Sequence, residues 1–262
     1  MTTAAEHWRL ALADWAIPPE ILSMAPESPW IHPVEMFTVS GDIPDSPSHQ
    51  RAREALPEGG SVLDVGCGGG RASMAIAPPA GLVIGVDHQP AMLDKFEHAA
   101  RERGVASQTV PGDWPEAAPR SPVADVVVCH HVAYNVPDLT PFLLALDEHA
   151  RNRVVLELPT LHPLTHMSPF WDEFWGLTRP TSPTADDCLA VAREAGFDAH
   201  IQIWEDQELS MRAQLPVEQQ ARFLRIRLCL PEDREPELVA AVLAAGEPPI
   251  RYTATLWWDK AK

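Results

Sequence analysis

The sequence predicts an α/β fold, a mostly parallel sheet with helices on both faces, and three observations point to it. Short apolar runs recur at residues 62–65, 82–87, 124–129 and 153–158, as expected of strands covered on both sides rather than half-exposed ones. Between them, sets such as Met92, Leu93, Phe96, Ala99 and Ala100 keep helical spacing, so strand and helix alternate along the chain. The first run also ends in alternating glycines, Gly66, Gly68 and Gly70. Such a turn lets the backbone take positive φ and approach a ligand at the start of a helix.

Taken in order, residues 1–45 read as an N-terminal helical cap or lid. Leu10, Leu12 and Trp15, then Ile21, Leu22 and Met24 after Pro18-Pro19, suggest two short helices followed by an extended, proline-broken segment. Trp30 and Phe37 stand in that segment, either covering the core edge or closing over a ligand. Residues 46–262 read as the main domain. Ser46-Pro47 opens a helix with a capping hydroxyl and a proline at the first position, running to about Leu56. The glycine strand at 62–65 feeds a helix at 71–77, and the strand at 82–87 ends in Asp87. Pro90 opens a helix that stops at Gly104. A weaker strand, Ser107-Gln108-Thr109-Val110, leads to Pro111-Gly112-Asp113-Trp114. The strand at 124–129 ends at His130-His131, and Pro137-Asp138 starts a helix to His149. After the strand at 153–158, residues 159–183 form an aromatic, proline-stiffened insertion. It is either a wall of the substrate pocket, with Trp171 a candidate to line it, or Phe170, Phe174 and Trp175 form one helix face buried against the sheet. Thr184-Ala185-Asp186-Asp187 has the form of a capping box for a helix ending at Gly196. Strand six at 199–204 and strand seven at 250–259 alternate apolar with polar, and residues 211–249 insert helices between them.

Composition bounds the function. The 262 residues are 45% hydrophobic and 22% charged, which suits a self-sufficient fold with a decorated core. The net charge is −17, from 37 acids against 20 Lys+Arg, so phosphate backbones are repelled and nucleic acid is not an expected partner. Arg222, Arg225 and Arg227 form a lone basic cluster, a solvated face paired with acids or a greeting for an anionic substrate. Cys67, Cys129, Cys188 and Cys229 lie far apart, suggesting neither a zinc site nor disulfides. The N-terminus has no basic leader, and no apolar run reaches the ~18 residues of a membrane span. The expectation is a cytoplasmic protein, monomer or homodimer, with no metal and no membrane.

The glycine turn separates two nucleotide-type cofactors. A dinucleotide fingerprint needs a third glycine where this chain has Arg71. What stands here is D-x-G-x-G-x-G, Asp64 through Gly70, which resembles motif I of the class I S-adenosylmethionine-dependent methyltransferases. Gly112-Asp113 followed by Trp114 is a second point of resemblance. The family implies a Rossmann-like sheet of seven strands with an antiparallel last strand, and S-adenosylmethionine as cofactor with S-adenosylhomocysteine as product. It places Asp64 near the methionine part, Asp113 at the adenine amino group and Trp114 beside the ring, and extends the cofactor site to Gly66, Cys67, Gly68, Gly70, His88, Met92, Gly112 and His130. Asp87 lies 21 residues beyond Gly66, at a strand tip where a carboxylate accepts ribose hydroxyls. The chain lacks the Asn/Asp-Pro-Pro-Tyr/Phe of nucleic-acid amino-methylating enzymes and the metal-binding acid of catechol-type ones. Arg151-Asn152-Arg153 replaces the common Pro-Gly-Gly turn.

In-line methyl transfer needs positioning and exclusion of water more than a nucleophile on the protein. The resemblance therefore implies a methyltransferase acting on a small-molecule acceptor at oxygen or nitrogen. A base would serve such an acceptor, and His131 and His162 stand at the appropriate strand tips. Tyr134 and Glu157 are candidates to orient the acceptor, with Trp30, Phe37 and Trp171 lining its pocket. A catalytically silent S-adenosylmethionine-binding sensor or scaffold, and a nicotinamide-dependent oxidoreductase, are the competing readings.

Overall fold

The structure, a computed structural model, describes residues 2–30, 41–207, 216–246 and 249–260. In chain order its strands are β1 (Ser61–Val65), β2 (Leu82–Asp87), β3 (Ala106–Pro111), β4 (Ala124–His130), β5 (Ala150–Pro159), β6 (His200–Glu205) and β7 (Tyr252–Asp259). The helices are α1 (Ala4–Ala13), α2 (Pro19–Leu22), α3 (Pro47–Ala55), α4 (Arg71–Met74), α5 (Pro90–Arg103), α6 (Leu139–Glu148), α7 (Ser168–Trp175) and α8 (Ala185–Glu194). Two more, α9 (Val217–Arg227) and α10 (Glu235–Ala245), lie between β6 and β7.

The seven strands form one sheet in the order β3-β2-β1-β4-β5-β7-β6. Pairs from β3 to β5 are parallel, and β7 runs antiparallel to both β5 and β6. The order reverses direction between β1 and β4, which opens a crevice at their C-terminal tips. Alternate side chains go to opposite faces. Leu63 and Val65 pack with α6 and α8 residues such as Phe142 and Leu189; Val62 packs with α3, α4 and α5 through Ala52, Met74 and Phe96.

The helix starts follow from their caps. The Ser46 hydroxyl accepts from the His49 N–H at 3.3 Å while His49 Nδ1 accepts from the Ser46 N–H at 3.2 Å. The Thr184–Asp187 box forms likewise at α8, and Gly104 ends α5 at φ 67°. The helix expected over 71–77 is shorter, closing at Met74.

The first helix joins the main core: Trp8 is fully buried there, and its indole N–H donates to the Val136 carbonyl at 2.9 Å. A large ring with its one polar atom satisfied is stable in a core. One expectation is corrected on α7: its most buried residue is Trp171, the candidate pocket wall. Trp171 is 2% exposed, whereas Phe170, Phe174 and Trp175 are only partly buried around it. Trp171 belongs to a third apolar cluster with Ile17 and Ile21 of the α2 region, Leu224 of α9 and Leu238 of α10. The Arg179 guanidinium stands over both Trp15 and Trp171, at 5.1 and 5.2 Å from the ring centres. Phe37 lies outside the described residues.

Candidate active site

The turn after β1 is built so that only glycine serves at its first position. Gly66 has φ 70°, and a Cβ there would stand 2.4 Å from Val132 Cγ2. The Gly66 and Cys67 N–H groups both donate to the Val86 carbonyl, at 2.9 and 3.0 Å. Asp64 lies behind the turn, 1% exposed, with Oδ2 accepting from the Ser73 hydroxyl at 2.8 Å and the Ser73 N–H at 3.3 Å. Burial pushes the Asp64 carboxyl up to about 7, and the Ser73 hydrogen bonds work against that shift. Its role is to brace the turn against the first residues of α4. Asp87, at the tip of β2, receives the Gly68 N–H on Oδ2 at 3.0 Å and the Gln89 N–H on Oδ1 at 2.9 Å. Each oxygen keeps a second lone pair.

These groups open on a cleft of about 2320 Å³, well beyond the ~300–1,000 Å³ typical of one ligand. Asp64, Gly66, Cys67, Gly68, Asp87, His88, Met92, Gly112, Asp113, Trp114 and His130 all line it. Gly70 does not; at φ 88° it caps α4, and a Cβ there would meet Phe96 at 2.9 Å. Asp113 is exposed, with Oδ1 3.4 Å from His88 Nδ1. The Trp114 ring is fixed by its N–H to the Phe142 carbonyl at 3.3 Å and by edge contact with His149.

At the tips of β4 and β5 the cleft meets a polar cluster. Glu157, 8% exposed, stands 3.1 Å from His131 Nε2 and 3.5 Å from His130 Nδ1 through Oε1, and its Oε2 accepts from the Ser46 hydroxyl at 3.2 Å. His131 has φ 61°, an unusual backbone for a non-glycine residue, and its N–H donates to the Glu157 carbonyl at 2.7 Å. The His49 ring lies 5.7 Å from that of His130. Burial pushes His130 down to about 4, with Glu157 pulling the other way. Burial alone would raise the Glu157 carboxyl, yet His130 and His131 outweigh it and hold the group well below the usual carboxylate range. Sequence reasoning missed His49 and Ser46. Their signal was Ser46-Pro47, read only as a helix start.

His162 is not arranged as a base. Its ring stacks on Trp15 at 3.9 Å, and Nδ1 accepts the Leu164 N–H at 3.3 Å, which leaves the proton of the neutral ring on Nε2. Burial, with Arg179 adding, lowers it to about 4. Tyr134 lines the cleft 7% exposed, but its hydroxyl is committed to the Pro159 carbonyl at 2.9 Å. Trp30 lines the cleft and is 51% exposed; Trp171 does not reach it. Among the described residues no group of three or more His, Cys, Asp or Glu side chains is placed to hold a metal ion, and no helix is long and apolar enough to cross a membrane. Within the basic cluster on α9, Arg222 is exposed, whereas Arg225 and Arg227 are 3% and 5% exposed, and Arg225 pairs with Glu27 at 2.7 Å and Glu235 at 3.4 Å.

Residues 62–152 match the family of methyltransferase domains. Over 86 residues the chain is 34% identical to a ribosomal protein L11 methyltransferase of Saccharophagus degradans, covering 32% of this chain and 29% of that protein. Over 112 residues it is 31% identical to a ubiquinone biosynthesis O-methyltransferase of Azorhizobium caulinodans, covering 42% of this chain and 44% of that one. The chain thus spans less than half the length of these curated relatives. Among solved structures, coclaurine N-methyltransferase bound to N-methylheliamine and SAH aligns over 98% of this chain and 87% of its own, with TM-score 0.53 and 14% identity. Taken with the sheet order and the glycine turn, the chain carries a methyltransferase domain in the fold of the class I S-adenosylmethionine-dependent methyltransferases.

Proposed function

We propose that the protein is an S-adenosylmethionine-dependent methyltransferase acting on a small-molecule acceptor at oxygen or nitrogen. One observation carries the reading: a single cleft joins the glycine turn and Asp87 to the His131–Glu157 pair at the next strand tip, with volume for a second molecule. Asp87 would hold the ribose hydroxyls, Asp113 the adenine edge, and the turn from Gly66 to Gly68 the methionine part. When bound, the cofactor supplies an electrophilic methyl group. His131 would take the acceptor's proton, and Glu157 would orient its ring and stabilise the imidazolium. The net charge of −17 and the walled cleft support a small molecule over nucleic acid. A cytoplasmic setting fits the same reading.

The test is a thermal-shift titration with S-adenosylhomocysteine and, in parallel, NADH. At 100 times Kd a ligand adds ~2.7 kcal/mol, a rise of roughly 5–10 °C for a chain of this size. A shift with S-adenosylhomocysteine alone is the expected result; a shift with NADH alone, or with neither, overturns the reading. With an acceptor in hand, His131→Asn lowers turnover by ~10²–10⁴-fold if His131 is the base. Cofactor binding with no turnover across a broad acceptor screen would favour a silent binding protein.

A further inference from the structure

The sheet sets Thr255 of β7 directly across from Glu157 of β5. Directly opposed residues of an antiparallel pair send their side chains to the same face, and α3 packs on β4, β5 and β7. The first turn of α3 brings the Ser48 hydroxyl to 2.6 Å from that of Thr255. The Trp204 indole N–H, from β6, donates to the Thr255 hydroxyl oxygen at 3.0 Å. At the other end, the Ser48 hydroxyl donates to the Glu157 carboxylate and helps to hold it below the usual carboxylate range. Ser48 and Thr255 are both fully buried, while Trp204 is half-buried and lines the cleft.

The direction of this series is fixed. An indole N–H only donates and an ionised carboxylate only accepts, so the two hydroxyl protons between them have one arrangement. Thr255 gives its proton to Ser48, and Ser48 gives its own to Glu157. Hydrogen bonds in series polarise one another, the more so in a buried, low-dielectric setting. Each donor takes up part of the carboxylate charge, and that same charge faces His131 Nε2 at 3.1 Å. Other groups act on the pair from neighbouring elements. His130 stands 3.5 Å from Glu157 Oε1 at the tip of β4, and the His49 ring lies 5.7 Å from that of His130. Asp45 is 3.8 Å from His49 Nδ1, with Arg53 and Arg71 acting on His49, and Arg71 on His130 as well.

We infer that Ser48, Thr255 and Trp204 tune the basicity of His131: their one-way hydrogen bonds take up part of the Glu157 charge, so the carboxylate stabilises the imidazolium less than a bare one does. Ser48 and Thr255 are positioning residues, acting only through Glu157. The head of the series, Trp204, also borders the space left for an acceptor. The inference rests on the methyltransferase reading for calling His131 the base, and it deepens that reading by naming what sets the strength of that base.

The experiment uses the whole protein, with and without saturating S-adenosylhomocysteine, and follows the His131 ring by NMR against pH. Its side chain is 45% exposed, within reach of solvent protons, and its signals are assigned by their loss in His131→Asn. Ser48→Ala raises the His131 midpoint by about 0.5 pH unit over the wild type. Thr255→Val raises it less and Trp204→Phe least, while Thr255→Ser, which restores the hydroxyl, keeps the wild-type midpoint. A merely structural role lowers the melting temperature without moving the midpoint in that order. An unchanged or lowered midpoint in any of the first three variants overturns the inference, as does a Thr255→Ser midpoint equal to that of Thr255→Val. If Ser48→Ala fails to fold, the near-isosteric Thr255→Val and the half-buried Trp204→Phe decide. Failure of S-adenosylhomocysteine to bind, with the midpoints moving as expected, overturns the methyltransferase reading instead and leaves the tuning of His131 in place.

Discussion

At Glu157 one carboxylate oxygen faces two imidazoles and the other receives the Ser46 hydroxyl. Glu157→Ala leaves the buried Ser46 hydroxyl and the nearly buried His130 ring without this acceptor, and its expected effect is a loss of about 1–3 kcal/mol, measurable by urea denaturation. Asp87→Ala removes an acceptor from the cofactor end and opens the Gly68 side of the turn. Affinity for S-adenosylhomocysteine is expected to fall roughly ten- to a hundredfold by calorimetry. Asp64 and Asp87 were legible in the sequence because an acid just before a glycine turn, and another at a strand tip, have few other places to go. His49 was not legible. A histidine in the first turn of a helix looks like surface, and only the fold brings its ring to His130. Trp171 was misread for a related reason, since aromatic spacing fixes a helix face but not which neighbour covers it.

Among the elements, the turn between β1 and α4 is the least tolerant. Gly66→Ala sets a Cβ 2.4 Å from Val132 Cγ2 at φ 70°, so the turn has to move. The expected outcome is loss of the S-adenosylhomocysteine thermal shift together with a lowered melting temperature. The cap of α3 is a milder case: Ser46→Ala removes the hydroxyl that receives the His49 N–H, a loss of about 1 kcal/mol. The parallel strands could be read from their continuous apolar runs, and the helix starts from Ser46-Pro47 and Thr184. The cluster joining α2, α7, α9 and α10 could not. Its contacts link segments far apart in sequence, and each segment alone shows only a partial apolar face.

For the whole molecule, His130, His162 and His166 are each pushed to about 4 by burial, against about 6.5 in an unfolded chain. The unfolded state then binds more protons across this window, so stability falls as pH drops from about 6.5 to 4. Asp64 runs the other way, because its folded carboxyl is raised to about 7, but it is one group against three. Melting temperature is expected to rise from pH 4.5 to 6.5, and His162→Asn should flatten that rise. The sheet order holds a further consequence, for synthesis. β7 follows β6 in the chain yet lies between β5 and β6. On the ribosome, β6 emerges with its permanent neighbour still untranslated, and the open edge of β5 waits as well. A nascent chain at that stage presents two unpaired strand edges, which makes the window before β7 appears the point where a chaperone has most to protect.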